Sequence, residues 1–310
     1  MDALAGLLDG PRARNAFLLR AILAAPWSMH IRCETALTII PIVSGSAWIV
    51  PETGHNVRLG PGDVAVTVGP EPYIVADDPG TRPQVIIHPG NRCETIDGET
   101  VYQSLDLGVR TWGNSPEGDT VMLVGAYQFE GEVSQRLLQA LPPLLVLTAD
   151  AWNGALIPLL AEEIVKDDPG QEAVLDRLLD LLLITTLRTW FARPDAQAPA
   201  WYRAQVDPVV GKALRMLHNS PAHPWTVESL AAAVGVSRAT LARRFQELVG
   251  EPPMTFLTGW RLALAADLLR GSDATIESVA QRVGYGSAFA LSTAFKRVQG
   301  VSPQKYRSLV

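Results

Sequence analysis

The sequence predicts an α+β multidomain chain. A small all-β barrel comes first, a helical segment follows, and the C-terminal domain is all-α with two helix-turn-helix units. Three observations predict this. Residues 35 to 129 alternate short apolar segments with clusters of Gly, Pro, Asp and Asn, the rhythm of strands and turns in a barrel or jelly roll. Residues 130 to 200 change to longer Leu-rich stretches. Near the C-terminus a ten-residue pattern occurs twice, T-V-E-S-L-A-A-A-V-G at 226–235 and T-I-E-S-V-A-Q-R-V-G at 275–284. A repeat of that length implies two copies of one supersecondary unit.

The strands expected from the apolar segments are 37–43, 47–50, 57–59, 63–68, 73–76, 84–88 and 120–129. Helices follow at 133–141, closed by Pro142-Pro143, and at 151–165, where Pro158 reads as a kink or an early-turn residue. Residues 167–170 are a break. The helix 171–191 then carries Leu at 175, 178, 179, 181, 182, 183 and 187. It is apolar around most of its circumference, so it needs burial on two sides, by its own core or by another chain. Glu at Leu179 and Leu183 is expected to separate these two cases. Residues 193–208, rich in Pro and Ala, read as a linker.

Each copy of the repeat starts with a hydroxyl, Thr226 or Thr275, suited to cap a helix. Glu228 and Glu277 lie in the first turn, where the helix dipole favours negative charge. Val227, Leu230, Ala231 and Val234 form one apolar face, as do Ile276, Val279, Ala280 and Val283. Gly235 and Gly284 end these helices. Ser237 and Ser287 cap a second helix, giving helix, short turn, helix. Its outer face carries Ser237, Arg238, Thr240, Arg243 and Arg244 in the first copy, and Ser287, Ser292, Thr293, Lys296 and Arg297 in the second. Arg can pair bidentately with guanine and the other groups can hold phosphates, so these are the candidate DNA-contacting residues. A solvated face on a small helical bundle is the plainer alternative. One amphipathic helix, 256–269, spans the two units and can hold them about one DNA turn apart, roughly 34 Å.

Here the sequence resembles the AraC/XylS family of transcription regulators. The likeness rests on W-T-V-E-S-L-A-A-A-V-G-V-S-R-A-T-L-A-R-R-F (225–245), R-L-A-L-A-A-D-L-L (261–269), I-E-S-V-A-Q-R-V-G-Y (276–285) and A-F-K-R-V-Q-G-V-S-P-Q-K-Y-R (294–307). It covers about a third of the chain. One departure is Ser287-Ala288-Phe289-Ala290-Leu291-Ser292, less polar than in many relatives. It suggests that the first recognition helix reads bases while the second holds the backbone. More loosely, S-G-S-A-W-I-V … R-L-G-P-G-D-V-A-V resembles the cupin pattern, with Gly60, Gly62 and Asp63 in its turn. The start of the chain is similar to the cupin-like sensor of some AraC-type regulators. The resemblance implies a cupin-like sensor domain at 1–129, a helical dimerisation segment at 130–195, a linker at 196–206 and the DNA-binding domain at 207–310. It also implies a homodimer on promoter DNA, RNA polymerase as a partner, and a small-molecule or oxidant effector whose identity the sequence does not give.

Metal-binding cupins carry His-x-His with a Glu and a later His. This chain has no His-x-His, and Tyr73 stands where the later His is expected. No cofactor and no catalysis are therefore expected. Cys33 and Cys93 each sit in Arg-Cys-Glu-Thr, with His30 and His88 upstream. Three readings stay open. They are unrelated thiols, or a redox pair with Arg32 and Arg92 favouring thiolate, or a zinc site of His30, Cys33, His88 and Cys93 whose loop spacing is unusual.

Charge divides the chain. The net charge is −6, yet residues 207–310 hold 12 Lys and Arg against 7 Asp and Glu, while 1–206 hold 14 against 25. The basic part is the one suited to phosphate. The acid excess elsewhere either weakens non-specific DNA binding or simply aids solubility. Residues 178–187 are too short to span a bilayer, and the acidic start M-D-A-L-A-G-L-L-D lacks the basic opening of a signal peptide. A cytoplasmic location follows from these readings. The competing class is a cupin-type ligand-binding or catalytic protein with an accessory DNA-binding domain. A third is a nucleoid-type binder without a sensor, which the size of the N-terminal region opposes.

Overall fold

A computed structural model describes residues 16–101, 103–127, 131–193 and 198–308. The N-terminal segment M-D-A-L-A-G-L-L-D, the end of the strand expected to reach 129 and part of the linker lie outside these residues. The chain gathers into two compact units. One comprises the described residues of 12–129 and 141–196, the other those of 130–140 and 197–310. The expected helical segment 130–195 is thus divided between the two units.

The first unit has thirteen strands. They are β1 Phe17–Leu23, β2 Ser28–Ile31, β3 Leu37–Ser44, β4 Ala47–Pro51, β5 Val57–Leu59, β6 Val64–Val68 and β7 Tyr73–Ala76. Then come β8 Val85–His88, β9 Arg92–Thr95, β10 Asp106–Gly108, β11 Thr111–Gly113, β12 Thr120–Tyr127 and β13 Leu144–Leu147. They form a seven-stranded sheet, β10-β11-β1-β12-β3-β6-β13, and a six-stranded sheet, β5-β4-β7-β2-β8-β9. The alternation of side chains sends Ala21, Ile40, Ile42 and Met122 from one sheet and Met29, Ile49, Val75 and Cys93 from the other into a shared core. The cupin-type turn forms as expected. The Gly60 N–H donates to Asp63 Oδ2 at 2.7 Å, and Gly62 takes φ +85°. The other Asp63 oxygen accepts from Ala149 N at 2.8 Å, and the Gly62 carbonyl accepts from the Trp152 indole at 3.1 Å. A Cβ on Gly62 would meet that of Ala149 at 2.9 Å.

Helix α1 Glu132–Leu138 lies in sequence between β12 and β13, and α2 Leu156–Glu163 and α3 Gln171–Ala192 follow β13. Pro158 lies in the first turn of α2, where its missing N–H costs little. Only α2 and α3 belong to the β-rich unit. Leu175, Leu179, Leu182, Leu183 and Leu187 of α3 are buried. Gly125 of β12 makes room for this helix, because a Cβ there would lie 2.6 Å from Leu179 Cδ1 and 3.0 Å from Ile39 Cγ2. Leu179 and Leu183 are therefore intramolecular core. The outward row of α3 is Val174, Leu178 and Leu181, with Val174 and Leu181 exposed.

The second unit contains α1, then α4 Ala200–Arg203, α5 Val210–Asn219, α6 Val227–Val234, α7 Arg238–Val249 and α8 Pro253–Gly271. It closes with α9 Ile276–Val283, α10 Ala288–Gln299 and α11 Pro303–Ser308. Matched residues of the repeat hold matched places in two cores. Leu230, Ala231, Leu241 and Phe245 are buried in one, and Val279, Ala280, Leu291 and Phe295 in the other. The long helix α8 serves both, giving Phe256 and Leu257 to the first core and Leu262, Ala265, Ala266 and Leu269 to the second. Its buried surface is consequently wider than one amphipathic stripe, and Leu264 and Leu268 are only partly covered.

Helix α1 covers the remaining side of α8. Val133 packs with Trp260 and Ala263. The Asp267 carboxylate accepts from the first free amides of α1, Glu132 N at 2.6 Å and Val133 N at 3.3 Å. This is capping supplied from another helix. Burial holds the Asp267 carboxyl above its ordinary value, against those two amide hydrogen bonds. The Tyr306 hydroxyl donates to Glu132 Oε1 at 3.2 Å.

Candidate nucleic-acid interface and cavity

The two recognition helices are α7 and α10. Their positions are fixed by capping at both ends of each turn. Thr226 accepts from Ser229 N at 3.0 Å, and Thr275 from Ser278 N at 3.1 Å. Gly235 and Gly284 close α6 and α9 with φ +81° and +87°. Ser237 then accepts from Thr240 N at 3.1 Å, and Ser287 from Ala290 N at 3.2 Å. A Cβ at Gly284 would also lie 2.7 Å from the Ala222 Cα, so the turn after α9 sits against the loop that precedes α6. Arg261 of α8 fastens the same contact. Its Nε donates to the Pro221 carbonyl at 2.7 Å, its Nη2 to the His223 carbonyl at 2.8 Å, and its guanidinium lies 6.0 Å from the Tyr285 ring. Sequence reading missed Arg261, because its partners lie 38 to 40 residues before it.

The predicted DNA-contacting residues divide by their surroundings. Arg238 and Arg243 are exposed and pair with exposed carboxylates, Glu228 at 2.8 Å and Glu247 at 3.0 Å. Surface pairs of this kind exchange readily for a phosphate or a base. Arg244 does not fit its expected role. It is half-buried and bonded to Asp207, whose other oxygen accepts from Val209 N and Val210 N at the start of α5. Burial pushes the Asp207 carboxyl up, but those amides and Arg244 outweigh it and hold it below its ordinary value. Arg244 is a brace between α7 and α5. Ser237 and Ser287 spend their oxygens on caps, and Thr240 and Ser292 are half-buried, whereas Thr293, Lys296 and Arg297 are exposed.

The repeated glutamates have different partners. Glu228 takes the Arg238 guanidinium, while Glu277, facing Ala288 in place of an arginine, accepts from the Ala288 backbone N–H at 2.8 Å.

The β-rich unit holds a cavity of about 90 Å³. Its wall includes Met29, Ile40, Val75, Ile87, Trp112 and Met122, with Thr35, Thr38, Tyr73, Cys33 and Cys93 as the polar or thiol groups. The Tyr73 oxygen accepts from the Thr67 hydroxyl at 3.3 Å, and burial pushes its pKa up to about 12. Burial raises the Cys33 thiol, and burial with the neighbouring Cys33 raises Cys93 to about 11. Arg32 and Arg92 therefore do not make thiolates here.

The four residues of the zinc reading do not converge. Met29, Ile31, Ile87 and Cys93 face the cavity, so the pleat turns His30 and His88 to the opposite face of the sheet. There His88 Nε2 meets Glu94 at 3.2 Å, beside Arg92 at 3.1 Å. Among the described residues no three His, Cys, Asp or Glu gather in a metal-ligating group.

A cupin family model matches residues 2–192, and a helix-turn-helix domain model matches residues 230–308. A Streptomyces lividans protein described as an AraC-like transcription regulator is 31% identical over 313 residues, covering 99% of this chain and 98% of its own. The chain belongs to the AraC family of transcription regulators. The HTH-type transcriptional regulator AlkR of Acinetobacter baylyi is 30% identical over 313 residues and 99% of each chain. The DNA-binding domain of AdpA, solved with a target DNA, is 37% identical over 33% of this chain and 92% of that one, with a TM-score of 0.32. As a family member the chain is a transcription regulator with a cupin-like ligand-binding domain and a DNA-binding helix-turn-helix domain.

Proposed function

We propose that this regulator lays α7 and α10 in successive major grooves of a promoter and is controlled from the cavity of its cupin-like domain. The observation that carries the DNA arrangement is the pair of capped recognition helices joined through one long helix and locked by Arg261. Arg238 and Arg243 read bases, and Lys296 and Arg297 hold phosphate, with Thr293 beside them. The test is a footprint on sites recovered by genome-wide mapping. Two protected patches on one face of the duplex, about one turn apart, are expected. A single patch would refute the arrangement.

The effector is a small, uncharged, mainly apolar molecule. The cavity wall supports this, since no carboxylate or imidazole stands among its described lining residues. A cavity of roughly 150 Å³ accepts benzene, so a ligand of that size needs the flexible Met29 and Met122 to yield. Thermal-shift titration with neutral hydrocarbons against matched carboxylates checks this, and the neutral series should stabilise. The same apolar wall supports regulation over catalysis.

The outer row of α3 seats a second copy of the chain. RNA polymerase is the further protein partner and the cytoplasm the place of action. No described helix is long and apolar enough to cross a membrane.

One observation favours a second control mode. Cys33 and Cys93 border the same cavity, so an oxidant entering it meets both thiols. Loss of thiol titre together with a dithiothreitol-reversible change in DNA affinity, abolished in the Cys33→Ser, Cys93→Ser double variant, is the expected signature.

A further inference from the structure

Phe289 is 82% exposed, in a unit whose Phe245, Phe256 and Phe295 are buried. A lone exposed apolar residue needs no explanation by itself. The position of this one gives it meaning. It is the second residue of α10, and in helix-turn-helix units the first residues of the recognition helix meet the base edges. Phe289, Thr293 and Lys296 follow at helical spacing and are all exposed, so they form one outward row. Ala290 is exposed beside the ring. In the first unit the matched places hold Ala239, Arg243 and Gln246.

A phenyl ring cannot hydrogen-bond a base edge. The apolar feature that the major groove offers is the thymine 5-methyl group, and Phe and Ala are side chains that contact it. The charge around the ring fits a polyanion, because Lys296 and Arg297 lie on the same helix and Arg282 on α9, all exposed. We propose that Phe289, with Ala290 beside it, reads thymine 5-methyl groups in the half-site of the second unit. That unit then selects sequence as well as holding the backbone. The proposal rests on the groove placement of α10 given above.

The test uses the full chain and its mapped operator. Each thymine of the second half-site is replaced singly by deoxyuridine, which keeps its pairing and lacks only the methyl. Wild type should lose about fourfold in affinity per contacted methyl, at one or two positions. Phe289→Ala should bind the native site more weakly by a similar factor and show no further loss at those positions. Phe289→Leu should restore part of the affinity, and Arg243→Ala should keep the deoxyuridine penalty. Thermal melts of each variant separate misfolding from lost contact. The proposal is overturned if wild type is indifferent to every deoxyuridine, or if Phe289→Ala pays the same penalties. It is also overturned if Phe289→Ala keeps the native affinity and loses only activation, since the ring would then face a protein. A wild-type footprint lacking the second patch would overturn the groove placement as well, and the two failures are thereby distinguished.

Discussion

Helix α3 offers two leucines two positions apart with opposite fates. Leu179 is 2% exposed and Leu181 is 47% exposed. Leu179→Ala removes a buried side chain seated over Gly125, and a buried Leu→Ala change costs about 2–5 kcal/mol. Leu181→Glu changes a surface position, where folding stability moves by less than about 0.5 kcal/mol. Its effect should fall on assembly. Covering the exposed half of Leu181 contributes about 1 kcal/mol per protomer, and two-fold symmetry counts it twice. Losing about 2 kcal/mol raises the dimer dissociation constant about thirtyfold, before the cost of burying two carboxylates. Urea unfolding reads the loss of stability in Leu179→Ala, and sedimentation equilibrium at several concentrations reads the loss of association in Leu181→Glu. A Leu181→Glu variant that associates like wild type, beside a Leu179→Ala variant of undiminished stability, would refute this account of the helix.

Arg238→Ala and Arg243→Ala should each weaken operator binding by about 1–3 kcal/mol with unchanged melting, whereas Arg244→Ala should cost about 1.5–3 kcal/mol of stability through Asp207, measured by denaturant melts. Lys296→Ala or Arg297→Ala should weaken all DNA sequences alike and reduce the salt slope by about one unit, measured as log affinity against log salt. The Asp207 carboxyl is held below its ordinary value in the folded state. Its contribution is therefore present above the unfolded carboxylate pKa of about 3.9 and lost as pH falls through the lower folded value. Asp207→Asn should flatten the acid limb of the stability profile. Cys93, with its pKa near 11, should alkylate slowly at neutral pH and gain about tenfold in rate per pH unit up to that value. A fast neutral reaction would contradict its burial.

The recognition helices were legible because their signals are local. Thr226, Gly235 and Ser237 act within four residues of themselves, as do Thr275, Gly284 and Ser287. Several strands were not legible. β1 reads FLLRAIL and β13 reads LLVL. Neither alternates, and both are rich in residues that suit helices equally well. β13 forms because β6 is there to pair with it. Arg244 was misread for the same reason in reverse. Its sequence neighbours are those of a recognition helix, but the partner that claims it, Asp207, lies 37 residues away. The Leu-rich stretch of α3 was recognised as needing burial on two sides, but the close approach that seats Leu179 inward is made to Gly125, far off in β12.

Helix α1 stands in the sequence between β12 and β13, yet its contacts are with α8 and Tyr306. The DNA-binding unit is therefore not a contiguous stretch of polypeptide. A fragment beginning at residue 198 lacks Val133 and Glu132. It uncovers the side of Trp260 on which Val133 packs and leaves the Asp267 carboxylate without the amides it serves. Such a fragment is a cut surface rather than an excised module, and its solubility and melting temperature report on that wound. Supplying the α1 peptide in trans, or grafting it ahead of residue 198, is the manipulation that makes the isolated unit whole.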